Sequence, residues 1–270
     1  MVATDIRKEA RESLKNKWVK AILIILIQFL ITGLLTGIEN ALGDNSILTS
    51  IISIIEVVIG IPLSFGMVAV FMKLKRNEEV NYFDFIKIGF DNFTRAWGLC
   101  FRTLLKMILP IICVVLAIII VTIMFTAGGI AMGAGQQALG LVIIGIIIYV
   151  VALAYAVTIG LKYALTVCIA YDNPDMTTQD AVEKSAELMV GHRGDLFVLL
   201  LSFLGWALLC YLPLVLATAC ILVPVLAIVF MVGAVCGLLC LGAYIQMARI
   251  CFYDDVLKLN SEKTTVEVQE

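Results

Sequence analysis

Apolar residues run in six long blocks, at about 18–38, 47–72, 97–126, 138–171, 196–211 and 223–253, with short polar pieces between them. Each block, the fifth with a few residues beyond Tyr211, approaches or exceeds the ~20 residues a helix needs to cross hydrocarbon. The polar pieces alternate in character. All 19 Lys and Arg residues lie in 1–20, 73–106, 162–193 and 249–270, and none lies in the turns at about 39–46, 127–138 and 210–224. Positive charge in short loops marks the cytosolic side of a membrane. The pattern therefore predicts six spans with both termini cytosolic.

A second periodicity sits on the basic side. Ile6, Ala10 and Leu14 recur at i, i+4, i+8, and Phe83, Ile86, Phe90 and Phe93 at i, i+3, i+7, i+10. Val182, Ala186, Met189 and Val190 make a third stripe. Each is the signature of an amphipathic helix. The third has a start signal, Thr177 with Asp180 three residues on, and a stop signal in Gly191. The order is then the same three times: amphipathic helix, outgoing span, uncharged or acidic turn, returning span. Lys73, Lys162 and Arg249 each close a returning span. The predicted fold is an all-α membrane protein whose six transmembrane helices form three parallel-repeat hairpins, each preceded by an amphipathic interfacial helix. Residues 1–253 form a single membrane domain and 254–270 a polar, frayed cytosolic tail.

Composition agrees: 62% of residues are hydrophobic and 15% charged, against ~45–50% and ~25% in soluble domains. The mean hydropathy is +1.06. Acidic residues among the first 17 and a following apolar run long enough to span argue against a cleavable signal peptide. The eight cysteines form no C-x-x-C pair. Cys236 and Cys240 share a helix face, and Cys210 and Cys220 flank the last outer turn, but small apolar packing residues are the simpler reading. Gly33/Gly37, Gly129/Gly133 and Gly233/Gly237 have the G-x-x-x-G spacing of close helix contacts. Pro62, Pro110, Pro213 and Pro224 are positions to kink or end helices.

Reaction chemistry is sparse. The single histidine, His192, cannot build a metal site alone, and no metal or cofactor is expected. The segment GGIAMGAG resembles a phosphate loop only in composition, for it lacks the following Lys-Ser/Thr. Glu56 is the intramembrane acid, about 14 Å below the outer end of its span at 1.5 Å per residue. It is read either as a proton or cation site or as a neutral acid bonded to a neighbouring helix. Arg102, Lys106, Lys162 and Arg249 form a cationic set near the inner third, with Trp97, Tyr163 and Gln246 near in sequence. They are lipid-binding candidates: either a basic pocket for an anionic headgroup or long side chains snorkelling to the inner surface.

The segments IRKEARESLKNKWVKAIL, SAELMVGHRGDLF with LSFLGW, and the terminal Ala248-x-x-x-Phe252-Tyr253 resemble the domain of unknown function 975 family across nearly the whole chain. These are multi-pass membrane proteins found mainly in Gram-positive bacteria. The family usually carries Pro-Tyr ahead of the terminal motif, where this chain has Gly242-Ala243-Tyr244. The resemblance implies a cell-membrane address and a helical fold, and carries no activity or catalytic residue.

Three functions compete. The first is a non-enzymatic membrane protein that binds lipid, anionic lipid in particular, or a protein partner or second copy, in envelope maintenance or protection from membrane-active peptides. The second is a small-solute or ion transporter using Glu56. The third is an intramembrane enzyme acting on lipid, which lacks paired acids, a Ser/His set and a metal site. Nothing in the chain points to nucleic acid.

Overall fold

The structure, a computed structural model, describes residues 3–43, 46–130, 136–219 and 223–267. Every regular element in it is a helix: α1 (Ala3–Ser13), α2 (Trp18–Ala41), α3 (Ser46–Lys75), α4 (Asp84–Asp91), α5 (Phe93–Ile130), α6 (Gln136–Lys162), α7 (Thr166–Asp172), α8 (Thr178–Leu188), α9 (Arg193–Ala219) and α10 (Pro224–Glu267). Among the described residues six stretches are long and apolar enough to cross a membrane: Trp18–Ala41, Ile47–Lys75, Phe93–Met124, Ile143–Asp172, Arg193–Thr218 and Pro224–Glu262.

The short helices form where their sequences carry local signals. In α1 the stripe Ile6, Ala10 and Leu14 is buried. At α8 the Thr177 side chain accepts from the Asp180 backbone N–H at 3.2 Å and donates to its carboxylate at 2.7 Å, the capping pair expected from the sequence. Gly191, at φ 82°, turns the chain out of the following turn. Val182 and Met189 are buried as the stripe predicts, whereas Val190 is exposed and Ala181, Ser185 and Leu188 complete the buried face.

In α4 the sequence stripe points the other way. Phe83 and Phe90 are exposed, and Phe85 and Gly89 are buried instead. The cause is a close backbone crossing. A Cβ on Gly66 of α3 would land on the Phe85 carbonyl, and one on Gly89 would land on the Pro62 carbonyl. Two glycines lacking Cβ seat α4 flush on α3, and the aromatic stripe is left for the surroundings. Among the earlier glycine pairs, Gly33, Gly37 and Gly233 face open space. Gly237 packs on Cys210, whose Sγ lies 3.1 Å from where a Cβ would stand. Gly129 and Gly133, with the whole GGIAMGAG turn, and Cys220 lie outside the described side chains.

The helices run through Pro62, Pro110 and Pro213, while Pro224 opens α10. The fourth span breaks where no proline stands. After Lys162 the backbone tightens, with Tyr163 N–H donating to Gly160 O at 3.2 Å and Ala164 N–H to Leu161 O at 3.3 Å, before α7 resumes. The buried Ser185 hydroxyl of α8 donates to the freed Lys162 carbonyl at 3.2 Å, docking α8 at the break. The last span does not fray at Tyr253. α10 continues through Glu267, because Val256 is buried and Asp254 is ion-paired.

Packing is concentrated at the end that bears the short helices. In the apolar 18-residue stretch of α3 half the residues are buried, against 6–17% in the corresponding stretch of each other span, so α3 is the central strut. Its buried residues from Leu63 to Leu74 belong to one core with Ile169 of α7, Phe85 of α4 and Met247, Cys251 and Phe252 of α10. Apolar residues along the rest of the spans are exposed, as a lipid-facing surface would be. Neighbouring spans pack in pairs, α2 with α3, α5 with α6 and α9 with α10. The short helices pack in sequence: α4 on α3, α8 on α5 and α7, and α1 on α9 and α10.

Candidate functional site

A polar layer joins the helix ends beside the core. Lys75 of α3 is ion-paired with Glu9 of α1 at 3.0 Å and Asp254 of α10 at 2.7 Å. Arg76 holds Oδ1 of Asp172, at the end of α7, at 2.6 Å. The Tyr253 hydroxyl donates to Oδ2 of the same carboxylate at 3.0 Å. Burial works against the Arg76 charge, but the hydrogen bond and charge of Asp172 outweigh it and hold the guanidinium above its ordinary value.

Two further cations finish helices. Lys17 Nζ donates to Leu74 O at 2.5 Å and Asn77 Oδ1 at 2.6 Å, at the C-terminus of α3. Arg95 Nη2 donates to Ala170 O at 3.0 Å, Asn173 O at 2.7 Å and Met176 O at 3.0 Å, and its Nη1 reaches Pro174 O. Of these, Leu74 O and Ala170 O lie in the last turns of α3 and α7, where carbonyls lack an intrahelical donor and carry the negative end of the helix dipole. None of these residues stood out in the sequence as a functional candidate. The Tyr171-Asp172 and Tyr253-Asp254 pairs that end two returning spans were the signal available.

The four cationic candidates do not converge. Arg102 and Lys106 are exposed and line a recess of about 180 Å3 against α8, with Gln179 and Glu183. There Arg102 Nη1 donates to Gln179 Oε1 at 2.8 Å. Lys162 is half-buried, its ammonium 5.5 Å from the centre of the Tyr163 ring. Arg249 alone of the four enters a cavity between the helices. It lines a space of about 450 Å3 with α3 (Phe65), α5 (Leu99, Met107) and the broken segment (Tyr163, Val167). The hydroxyls of Ser64, Thr103 and Thr166 also border it. Those of Ser64 and Thr166 are committed to backbone carbonyls, at 2.7 Å and 2.9 Å. Arg249 makes no hydrogen bond or ion pair with the described residues. Tyr163, at the break at 163–165, and Val167 line this cavity together with Leu99 and Met107 of α5.

Glu56 is half-buried toward the far end of α3, where Thr36 Oγ1 of α2 donates to it at 3.4 Å. Nearby Ser53 donates to Glu39 at 2.7 Å. Glu56 lines neither the Arg249 cavity nor the recess at Arg102. His192 Nδ1 lies 3.4 Å from Asp195. Cys100, Cys113, Cys168, Cys210, Cys236, Cys240 and Cys251 are free thiols. Among the described residues no three His, Cys, Asp or Glu side chains gather closely enough to hold a metal ion.

No curated protein and no solved structure matches the chain. One family model, described as a protein of unknown function (DUF975), matches residues 1–260. The polar lock of Lys75, Arg76, Asp172, Tyr253 and Asp254 lies entirely within that match, and the chain belongs to the DUF975 family.

Proposed function

We propose that this is a non-enzymatic membrane protein that holds an anionic phospholipid, with Arg249 binding the headgroup phosphate. The observation that carries this reading is the Arg249 guanidinium. It is half-buried without a described partner at an apolar cavity of about 450 Å3. A buried cation without a counter-charge is costly, and guanidinium suits phosphate because its planar donors can bond two oxygens at once. The remaining walls are apolar enough to receive acyl chain. Arg102 and Lys106, on the exposed recess beside α8, act as surface anchors. Holding anionic lipid fits a role in envelope maintenance or in protection from cationic membrane-active peptides, which are drawn to the same headgroups.

Orientation and repeat belong to the same reading. The cations of the elbow end support a cytosolic location for that end and for both termini. The three packed pairs act as three hairpin units, each entered through its own elbow helix. The packing order supports this: each elbow lies on the preceding pair, with α1 closing the circle on α9 and α10. A transporter working through Glu56 has less support, since Thr36 from the neighbouring helix bonds that carboxylate.

The test is native mass spectrometry of protein released from phosphatidylcholine–phosphatidylglycerol nanodiscs. Arg249→Gln should lose a retained phosphatidylglycerol that Arg102→Gln with Lys106→Gln keeps. Equal retention by Arg249→Gln and wild type would remove the reading.

A further inference from the structure

The geometry points to a second anionic-phospholipid site, in the groove between α9 and α10 beneath α1, with its acyl chain in the groove and its phosphate between Arg7 and Arg11. The groove encloses about 340 Å3. Trp18, Trp206, Gly237 and Leu241 are among its walls, and Arg7 and Arg11 line it from α1. None of these residues lines the Arg249 cavity, so this site stands independently of the one proposed above.

The charges argue for an anion. Arg7 and Arg11 are one helical turn apart on the same helix, and like charges at i, i+4 repel. Neither makes an ion pair with a described residue. Nε of Arg7 is buried with no partner. Its guanidinium instead sits 5.9 Å from the centre of the Phe203 ring. A phosphate between the two would relieve the repulsion and take the free donors.

The helix that carries both arginines is held in place. Ile6, Ala10 and Leu14 fix α1 in the core. The Tyr244 hydroxyl donates to the Arg7 carbonyl at 3.0 Å, and the Tyr244 ring packs edge-on against Phe203, with centroids 5.0 Å apart, and against Trp18. Preorganised donors lose little entropy on binding. The other elbow contact gives the contrast. α4 lies flush on α3 because Gly66 and Gly89 admit it. α1 lies on α9 and α10 with the groove left open beneath.

The occupant is a membrane phospholipid rather than a soluble anion or a protein segment. The groove wall is almost wholly apolar and opens on spans that are otherwise lipid-facing. The cations stand at the end carrying the basic loops, where a headgroup would lie, and tryptophan is enriched at that depth. A net-negative headgroup is favoured over a zwitterionic one, which brings its own cation to the two arginines.

The chain has three tryptophans, and two of them line this groove. Trp97→Phe leaves only Trp18 and Trp206 to fluoresce. In nanodiscs of phosphatidylcholine and phosphatidylglycerol in equal parts, one lipid at a time carries brominated acyl chains. Brominated phosphatidylglycerol should quench more than brominated phosphatidylcholine. Arg7→Gln with Arg11→Gln should bring the ratio of the two to unity, while Arg249→Gln should leave it unchanged. If Trp97→Phe fails to fold, the same ratio is read in the three-tryptophan chain, where Arg7→Gln with Arg11→Gln should still lower it. Equal quenching by the two lipids in the parent protein, as expected if bulk lipid or another protein fills the groove, overturns the proposal. So does a preference that survives loss of both arginines. Lipid retention lost only with Arg249 would fail this site and leave the other standing.

Discussion

The Tyr253 hydroxyl donates to Asp172 at 3.0 Å across 81 positions of chain, while Arg76 takes the other carboxylate oxygen at 2.6 Å. Through this one carboxylate the end of α7 is tied to α10 and to the end of α3. Tyr253→Phe should cost about 1 kcal/mol, the net worth of one hydrogen bond. Asp172→Ala should cost more, roughly 1.5–3 kcal/mol for bonds to a charged group. The lower half of that range is expected because the Arg76 side chain is 43% exposed and screened. Thermal unfolding in one detergent checks both. If Asp172→Ala is no worse than Tyr253→Phe, the lock carries no ionic contribution.

Glycine replacement should split by position. Gly66→Ala and Gly89→Ala each drive a methyl into backbone carbonyls and should destabilise by about 1–3 kcal/mol, as overpacking does. Gly33→Ala and Gly37→Ala meet open space and should be neutral or gain up to ~1 kcal/mol from helix propensity. Monodispersity on size exclusion after graded heating separates the two pairs. A similar response at all four positions would show that α4 is not seated on α3 through these glycines.

Arg95→Ala should be among the most damaging changes of a cation. It removes the donors from four carbonyls around the end of α7. Loss of charge-assisted bonds implies roughly 2–3 kcal/mol. Arg102→Ala, which loses one bond to Gln179, should stay within ~0.5 kcal/mol. Equal melting temperatures for the two variants would contradict the capping role.

Glu56→Gln tests the intramembrane acid. An acid bonded to Thr36 and partly exposed should tolerate the isosteric amide, within ~0.5 kcal/mol of the parent. Lipid retention should not change. A Glu56-dependent proton or cation flux in proteoliposomes, abolished by this variant, would restore the transporter reading.

Topology is open to direct labelling. With native cysteines replaced, single cysteines at Asn77 and Gln179 should be reached by a charged thiol reagent only after permeabilisation, and one at Gln136 in intact cells. Labelling of Asn77 in intact cells would reverse the orientation inferred from the basic loops.

The match between sequence and structure depends on how local each signal is. The Thr177–Asp180 cap and the Gly191 stop act within one turn of helix, so α8 could be placed before any packing was known. The α1 stripe was legible because polar residues on its other face leave Ile6, Ala10 and Leu14 only one way to be buried. In α4 Asp84, Lys87 and Asp91 mark one polar face, but the apolar arc opposite is broad enough to hold both Phe85 with Gly89 and Phe83 with Phe90, and periodicity could not tell which of these would be buried. Gly66 and Gly89, 23 positions apart, settled that choice by admitting close backbone contact.

The six apolar spans, the basic loops between them and the elbow helices are legible along the chain, since hydrocarbon thickness, loop charge and amphipathic period are properties of short segments. What each cation does depends on packing between distant helices. Lys17 and Arg95 finish helices, Lys75 and Arg76 meet acids from other helices, and Arg7, Arg11 and Arg249 are left facing cavities. The reason is that a charge's role depends on whether a counter-charge or carbonyl comes within about 3 Å of it. In this chain those partners arrive from helices as many as 179 residues away, as Asp254 does for Lys75.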